Sequence, residues 1–248
     1  MTKMKYMNYE MNGTIELKNT GRALTGSGFK DWKSKRPRIE AGGLNFTYSL
    51  DQFHIHWGLN DSVGSEHAIG SEYYPAELHL VHIREGHDFQ SASKLPNGIA
   101  VVAVLIEKSH DLIANRFAHI GEEFRKLKHV GNKAKLEKFS PEIMLPWNSE
   151  WFYRYEGSMT TPGCEESVIW TVLQKPIAIS QDELDLLREL QNEKNVTSRT
   201  YRPAQPLNGR RVLAHSEFYY EAYMSGKTSS HASTFLVLVI FFTIFVAV

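Results

Sequence analysis

Histidine residues are concentrated in one short part of the sequence, and their spacing suits metal ligands. Five of the 11 histidines lie between residues 52 and 83, in the stretch QFHIHWGLNDSVGSEHAIGSEYYPAELHLVHI. His54 and His56 are separated by one residue, and His79 lies in the later segment ELHLVH. Imidazole nitrogens are common ligands of zinc and other transition metals. Three interpretations are open: metal ligands, buried structural histidines or chance.

The two segments that carry these histidines read as β-strands, in which alternate side chains point to the same face. Gln52, His54 and His56 therefore share one face, and Glu77 and His79 share one face of the second segment. If the two strands are antiparallel neighbours, His54, His56 and His79 converge on one point. Three converging imidazoles leave the fourth tetrahedral position of a zinc ion open, which is the arrangement of a catalytic metal.

Two further side chains are placed to support these ligands. A metal-bound histidine needs an acceptor for its other ring N–H. Gln52 and Glu77 each precede a candidate ligand by two residues on the same face, so we expect them to accept these hydrogen bonds. An isolated His-x-His pair is weak evidence for a metal. The third histidine, with a carboxylate two residues before it, strengthens the prediction.

The other two histidines of the cluster are expected to have structural roles. His82 shares a strand face with Leu78 and Leu80, which favours a hydrogen-bonded core histidine over a ligand. His67 follows Glu66 in a predicted turn, where a structural role behind the ligands is favoured over ligation.

The elements that must position these residues are mainly strands. Two segments have helical spacing, 109–127 and 180–190, and the second begins with a capping box formed by Ser180 and Glu183. The strongest strand patterns are β-branched or aromatic runs bounded by Gly, Pro and Asn, at residues 14–19, 44–58, 75–83, 99–107 and 166–174. We predict a mainly β domain over residues 1–220 with a few helices at its edge, then a polar linker at 221–234.

The bulk composition is that of a globular domain without a strong electrostatic preference. Hydrophobic residues make up 42% of the chain, and Lys+Arg and Asp+Glu both number 28, so the charge balance argues against a nucleic-acid partner. The single cysteine, Cys164, cannot form a disulfide within the chain. Four Asn-x-Ser/Thr sequons permit glycosylation if the protein is secreted, at Asn12, Asn45, Asn60 and Asn195.

The two ends of the chain carry conflicting signals. Residues 235–248, FLVLVIFFTIFVAV, form an apolar run that is short for a spanning helix, which needs about 20 residues. Small residues, a polar spacer and a short apolar tail are the layout of a GPI-attachment signal, and a short tail anchor is the alternative. The first residues lack the apolar core of a signal peptide. We therefore expect an unconventional route or an incomplete N-terminus.

Four segments are recognisable as a set. QFHIHWG, GSEHAIGSEYYPAELHLVH, GSMTTPGCEESVIWTV and YRPAQPLNGRRV together resemble the α-class carbonic anhydrases, in the family's order, from about Ile15 to Val212. The resemblance implies a large, twisted, mostly antiparallel sheet with Zn²⁺ at the bottom of a conical cleft. It also implies reversible hydration of carbon dioxide to bicarbonate and a proton by zinc-bound hydroxide. Zinc supplies that hydroxide by lowering the pKa of bound water toward neutrality, an established property of this family.

The resemblance assigns a role to each matching position. Gln52 and Glu77 would orient two of the three zinc-ligand histidines. Thr160 would accept a hydrogen bond from the hydroxide and pass its own proton to Glu66, and Thr161 would neighbour the substrate. The apolar side of the pocket, where carbon dioxide waits, would be lined by Val81, Val101, Met159, Val168 and Trp170. From the sequence alone, simple core packing is the alternative for these five residues.

The chain departs from the family pattern in two informative places. Arg22, in NTGRAL, holds the position of the proton-shuttling histidine of the fast members. A guanidinium stays protonated at any ordinary pH and cannot relay protons, so we predict slow proton export. Extracellular members pair the cysteine at the position of Cys164 with one from an N-terminal stretch that is absent here, which fits an incomplete N-terminus.

An inactive carbonic-anhydrase-like module that binds a partner at the cell surface is the alternative function. Such modules typically lose a zinc-ligand histidine, whereas all three are present here. We therefore expect an enzyme acting on carbon dioxide and bicarbonate, attached to the membrane through its tail at the extracellular face, or secreted. The sequence does not indicate an oligomeric state.

Overall fold

The protein folds around one large β-sheet. The computed structural model describes residues 1–111, 115–118 and 120–216, and its described strands form a 12-stranded sheet. In chain order the strands are β1 (Met4–Met7), β2 (Gly13–Asn19), β3 (Leu24–Ser27), β4 (Arg38–Ala41), β5 (Tyr48–Trp57), β6 (Ala76–Arg84), β7 (Ile99–Lys108), β8 (Lys133–Phe139), β9 (Phe152–Gly157), β10 (Val168–Leu173), β11 (Ile177–Ile179) and β12 (Leu213–His215).

The sheet is mixed but mostly antiparallel. The strand order along its main path is β12-β9-β10-β7-β6-β5-β3-β2-β8, with β4 pairing with β1 and β5 off this path. Strand β7 pairs in parallel with β10 and β11. The other described pairs are antiparallel, as between β5 and β6. The predicted fold class, a mainly β protein with a mostly antiparallel central sheet, is confirmed.

Helices are short and lie at the periphery. They are α1 (Phe89–Ala92), α2 (Gly121–Phe124) and α3 (Gln181–Arg188), with 3-10 turns at Phe29–Lys35, Arg125–Leu127 and Pro141–Met144. Helix α3 confirms the prediction from the capping box, because the Ser180 side chain accepts a hydrogen bond from the backbone N–H of Glu183. The prediction of a helix over 109–127 is confirmed only at its end, by α2 and the 3-10 turn that follows it, and was wrong at 115–118. There Asn115 forms a β-bridge with Ala178, and the Arg116 N–H donates to the Ala178 carbonyl, so pairing with β11 replaces helical hydrogen bonds.

Strands β5 and β6 lie in the middle of the sheet and set the register of the candidate ligands. They are antiparallel, with His54 opposite His79 and His56 opposite Glu77. The expectation that the two histidine-bearing segments are antiparallel neighbours is therefore confirmed. Because alternate side chains share a face, Gln52, His54 and His56 face the same side as His79.

Both faces of the central strands are buried. One apolar cluster includes Phe53, Ile55 and Trp57 of β5 and Leu80 of β6. A second cluster on the histidine face includes Val81, Val101, Val168, Trp170 and Val172. Burial on both sides stabilises β6 and β7 in the folded protein. Each fully buried large apolar side chain contributes about 1.5–3 kcal/mol to the free energy of folding.

His82 is a core histidine, as predicted. It is fully buried, its Nε2 accepts a hydrogen bond from the Tyr9 hydroxyl at 2.5 Å, and its Nδ1–H donates to the Ala100 carbonyl at 3.3 Å. Burial lowers the pKa of His82 to about 3. The ring is therefore neutral in the folded protein.

The neutral ring of His82 is expected to make stability depend on pH. Its pKa is lower in the folded chain than the value of about 6.5 expected after unfolding, so the unfolded state binds the extra proton. Stability from this residue is complete above pH 6.5 and is lost as the pH falls toward 3. As the pH falls from 6.5 to 5, the free energy of unfolding of the wild type should decrease because of His82. In His82→Gln this decrease should be smaller by about 1.5–2 kcal/mol. Urea titrations at several pH values measure this, and parallel declines in both proteins would contradict it.

The predicted linker and tail fall outside the part of the chain that the structure describes. This applies to residues 221–234, to 235–248 and to the last residues, 217–220, of the predicted domain. Among the described residues, none of the helices has both the length and the apolar character that crossing a bilayer requires.

Candidate metal centre

The central strands bring three histidines together at one point. The ring centroids of His54, His56 and His79 lie 4.9–5.0 Å apart, and all three side chains are buried. The Nε2 atom of His54 lies 3.2 Å from Nδ1 of His79. A tetrahedral zinc ion bound at about 2.0–2.1 Å requires ligand nitrogens about 3.4 Å apart. The spacing of the three rings therefore suits zinc.

Each of the three rings is held from behind by an acceptor for its second nitrogen. His54 Nδ1 lies 3.0 Å from Gln52 Oε1, and His79 Nε2 lies 2.7 Å from Glu77 Oε1. His56 Nδ1 lies 2.9 Å from the backbone carbonyl of Thr200. These contacts fix the tautomers so that His54 Nε2, His56 Nε2 and His79 Nδ1 remain free to bind a cation.

An unpartnered nitrogen supports a cation at this point. His56 Nε2 is buried and has no hydrogen-bond partner among the residues that the structure describes. A buried nitrogen left without a partner is costly, and a cation shared with the two neighbouring rings would remove that cost. Burial, with His56 and His79 nearby, also holds the pKa of His54 well below its usual value, so that ring is neutral as a ligand must be. The donor set therefore fits zinc.

Glu77 accepts four hydrogen bonds behind the ligands. Its Oε1 accepts from the rings of His79 and His67, the latter at 2.5 Å, and its Oε2 accepts from the backbone N–H groups of Glu66 and His67, both at 2.8 Å. Burial by itself would raise the pKa of Glu77, but His67 and His79 outweigh it and hold the pKa well below its usual range. The carboxylate is therefore ionised, and it joins the ligand strand to the turn at 65–67.

His67 supports this carboxylate instead of binding the metal. Its Nδ1 faces Glu77, and its Nε2 lies 2.8 Å from the Tyr155 hydroxyl, so both ring nitrogens are engaged. His67, Glu77 and His79 are also close enough to hold an ion as a group. Their facing atoms already bond to one another, whereas the group of His54, His56 and His79 leaves a nitrogen without a partner. The latter is the better metal centre.

Among the described residues no hydrogen bond joins Thr160 to Glu66, and the predicted role of Thr160 toward Glu66 stays a prediction. Glu66 Oε1 accepts from the backbone N–H of Arg202 at 2.7 Å. Its Oε2 has no hydrogen-bond partner in the described part of the chain and lies 3.6 Å from His56 Nε2 and 4.0 Å from His79 Nδ1. With one oxygen held by Arg202, the other oxygen faces the ligand nitrogens.

A cavity of about 430 Å³ leads from solvent to the metal centre. His54, His56 and Gln52 form part of its lining, and Thr160 and Thr161 lie on its wall. Met159 also lines it, together with Phe89 of α1, while Arg22 and Arg199 are its charged lining residues apart from the histidines. The three-histidine centre is therefore open to small molecules on one side.

The other four residues predicted for the apolar wall are packed more deeply. Val81, Val101, Val168 and Trp170 are almost completely buried in the second apolar cluster, and they do not line the cavity in this structure. The Trp170 ring lies 4.8 Å from the ring of His79. These residues border the metal centre, and their contact with carbon dioxide stays a prediction.

Sequence reasoning missed the backbone acceptor of His56 and the partner of His67. Thr200 is 144 residues from His56, and a carbonyl acceptor has no residue-type signature. Tyr155 lies on β9, 88 residues from His67, so only the assembled sheet places them together.

The fold and the three-histidine centre define a β-sheet protein with a zinc-type site open to solvent. A family model described as eukaryotic-type carbonic anhydrase matches residues 1–216. The chain is 55% identical over 211 residues to a Caenorhabditis elegans protein named putative carbonic anhydrase 5, covering 85% of this chain and 68% of that one. It is 38% identical to carbonic anhydrase 3 of Sus scrofa, over 72% of this chain and 70% of that protein. The chain belongs to the eukaryotic-type carbonic anhydrase family.

Proposed function

We propose that this chain catalyses the reversible hydration of carbon dioxide to bicarbonate and a proton. The observation that carries the proposal is the convergence of His54, His56 and His79 at the base of an open cavity, each with its second ring nitrogen held by an acceptor. A bound zinc ion would supply Lewis-acid activation of water at neutral pH. The histidines would hold it, and Gln52, Glu77 and the Thr200 carbonyl would keep their rings in the binding tautomer.

The cavity walls suit this chemistry. Thr160 is the candidate for orienting the reacting water, because this residue lines the same cavity as His54 and His56. Carbon dioxide is neutral and apolar, so an apolar surface can hold it without a polar clamp. Met159 supplies such a surface in the cavity, and the cluster that contains Val81, Val101 and Trp170 lies directly behind it.

Proton export is proposed to be slow. The lining of the cavity in the described chain contains no Asp, Glu, Lys or Tyr and no histidine other than two of the candidate ligands. Arg22 occupies the shuttle position of the family and cannot exchange its proton at ordinary pH. The proton must therefore leave with a buffer molecule that enters the cavity.

We also propose that the protein acts outside the cell, held by a GPI anchor that replaces the tail at 235–248, held by that tail itself, or secreted. The support is the layout of the tail and the exposure of the asparagines in all four sequons, Asn12, Asn45, Asn60 and Asn195. Release of the protein from cells by a phosphatidylinositol-specific phospholipase tests for a GPI anchor. Retention on the cells after this treatment would favour a tail anchor.

Removing the metal should abolish the proposed activity. We expect the purified chain to bind about one zinc ion in the three-histidine centre, and to hydrate carbon dioxide only when it is loaded. Zinc content by atomic absorption and stopped-flow hydration, before and after chelation and again after zinc is restored, measure this. Full zinc occupancy without hydration would overturn the proposal and favour the binding-module alternative.

A further inference from the structure

The mouth of the cavity carries positive charge. Arg22 lies in the turn between β2 and β3, and Arg199 lies in the segment before β12. Both residues are exposed and line the cavity that ends at the ligands. Apart from histidine, they are the only ionisable lining residues in the described part of the chain. The electrostatic potential at this entrance therefore favours anions.

Both guanidinium groups are available to an incoming anion. Within the described residues, neither Arg22 nor Arg199 forms an ion pair. The Arg199 side chain is positioned by Tyr201, whose hydroxyl accepts from Nη1 at 3.3 Å and whose ring lies 5.3 Å from the guanidinium carbon. The Glu193 side chain lies beside Gly21 and is exposed, so it is a partial counter-charge at this edge of the cavity.

We propose that this mouth selects phosphate-type dianions as the proton acceptors of the reaction. The inference rests on the proposed function, in which CO₂ + H₂O gives HCO₃⁻ + H⁺ and the proton must leave with an external base. Hydrogen phosphate would enter as HPO₄²⁻, take that proton and leave as H₂PO₄⁻. An imidazole-type buffer would enter neutral and leave as a cation, against the charge of Arg22 and Arg199.

The chemistry of the acceptor narrows the class of anion. Proton transfer is most efficient when the pKa of the acceptor lies near the working pH. The second pKa of a phosphate ester is about 6, and that of inorganic phosphate lies closer to neutrality, whereas ordinary carboxylates titrate near 4 and accept protons poorly at neutral pH. Guanidinium groups also match the geometry of phosphate oxygens. A phosphate-type oxyanion therefore meets both requirements.

The test compares two buffers on zinc-loaded protein at one pH and constant ionic strength. The initial slopes of turnover against phosphate and against an imidazole-type buffer give a preference ratio. Arg22→Gln combined with Arg199→Gln should lower the phosphate preference by about three- to tenfold, since two partly screened unit charges act on a dianion. Added sodium chloride should reduce the wild-type preference. An unchanged ratio in the double variant would overturn the proposal.

Two control proteins separate charge from local structure. Arg22→Lys combined with Arg199→Lys retains both charges and should keep the ratio within about twofold. Arg211→Gln removes an exposed arginine that does not line the cavity and should leave the ratio unchanged. Loss of the preference in the Lys variant or in Arg211→Gln would contradict an effect of charge at the mouth.

A binding measurement keeps this proposal distinct from the proposed activity. Phosphate titrations of the metal-free protein, followed by ³¹P NMR line width, should show weaker binding in the double Gln variant than in the wild type. If the chain hydrates no carbon dioxide in any buffer but this difference is found, the proposed function fails and the phosphate subsite stands. Equal binding by the two proteins would overturn the subsite.

Discussion

Replacing Glu77 with glutamine is expected to weaken zinc binding by about 10- to 100-fold and to lower the free energy of unfolding by about 3 kcal/mol. Two donors approach Oε1, from His79 and His67, and two backbone N–H groups approach Oε2. A glutamine can accept on only one side. Whichever way its amide turns, its NH₂ group faces donors in a site with no access to water.

The experiment measures both effects on the same protein. Competition with a chromophoric chelator gives the zinc affinity, and urea denaturation of the metal-free chain gives the unfolding free energy. Glu107→Gln, at an exposed position near the end of β7, is the matched control and should change neither value. Zinc affinity within twofold of the wild type for Glu77→Gln would show that the carboxylate does not position His79.

The part of the site that follows strand periodicity was predictable from the sequence. Gln52, His54 and His56 are related by steps of two along β5, and Glu77 and His79 are so related along β6. This periodicity survives in any regular strand. The sequence predicted their common face, and the register of β5 and β6 confirms it.

The parts that depend on contacts distant in the chain were not predictable. The Thr200 carbonyl reaches His56 only because the segment before β12 returns to the sheet. The orientation of Glu66 depends on the backbone N–H of Arg202, 136 residues away. The motif resemblance supplied Thr160, and its predicted hydrogen bond to Glu66 stays a prediction.

The same distinction applies to the fold. Strands β5, β6, β7 and β10 carry long β-branched or aromatic patterns and were expected. The four-residue strands β1, β3 and β4 were not, because so short a run has no measurable period and is fixed by its neighbour in the sheet. In the segment before α2 the error has the opposite sign, because a regular element was predicted and is not formed there. The apolar spacing indicated a helix, but Asn115 pairs with Ala178 of β11.

Replacing Arg22 with histidine is expected to raise turnover at low buffer concentration by about tenfold or more. A positioned proton-transfer group contributes about 10²–10⁴-fold to a rate, and an exposed side chain at a cavity wall, which is held less firmly, should deliver less than that. Arg22 already lines the cavity that leads to the ligands, so a histidine there can exchange protons with solvent. The gain should appear as the pH rises through about 6.5, where an ordinary imidazole becomes a base.

Turnover measured against buffer concentration separates a relay from a change of charge. The turnover of the wild type should rise steeply with buffer concentration, and the turnover of Arg22→His should approach its maximum with little buffer present. Arg22→Gln removes the same positive charge without supplying a titratable group, so it should stay dependent on buffer. Equal acceleration by the glutamine and histidine variants would mean that the charge of Arg22 limits the wild-type rate. A rate already saturated at low buffer in the wild type would mean that protons leave by a route that avoids Arg22.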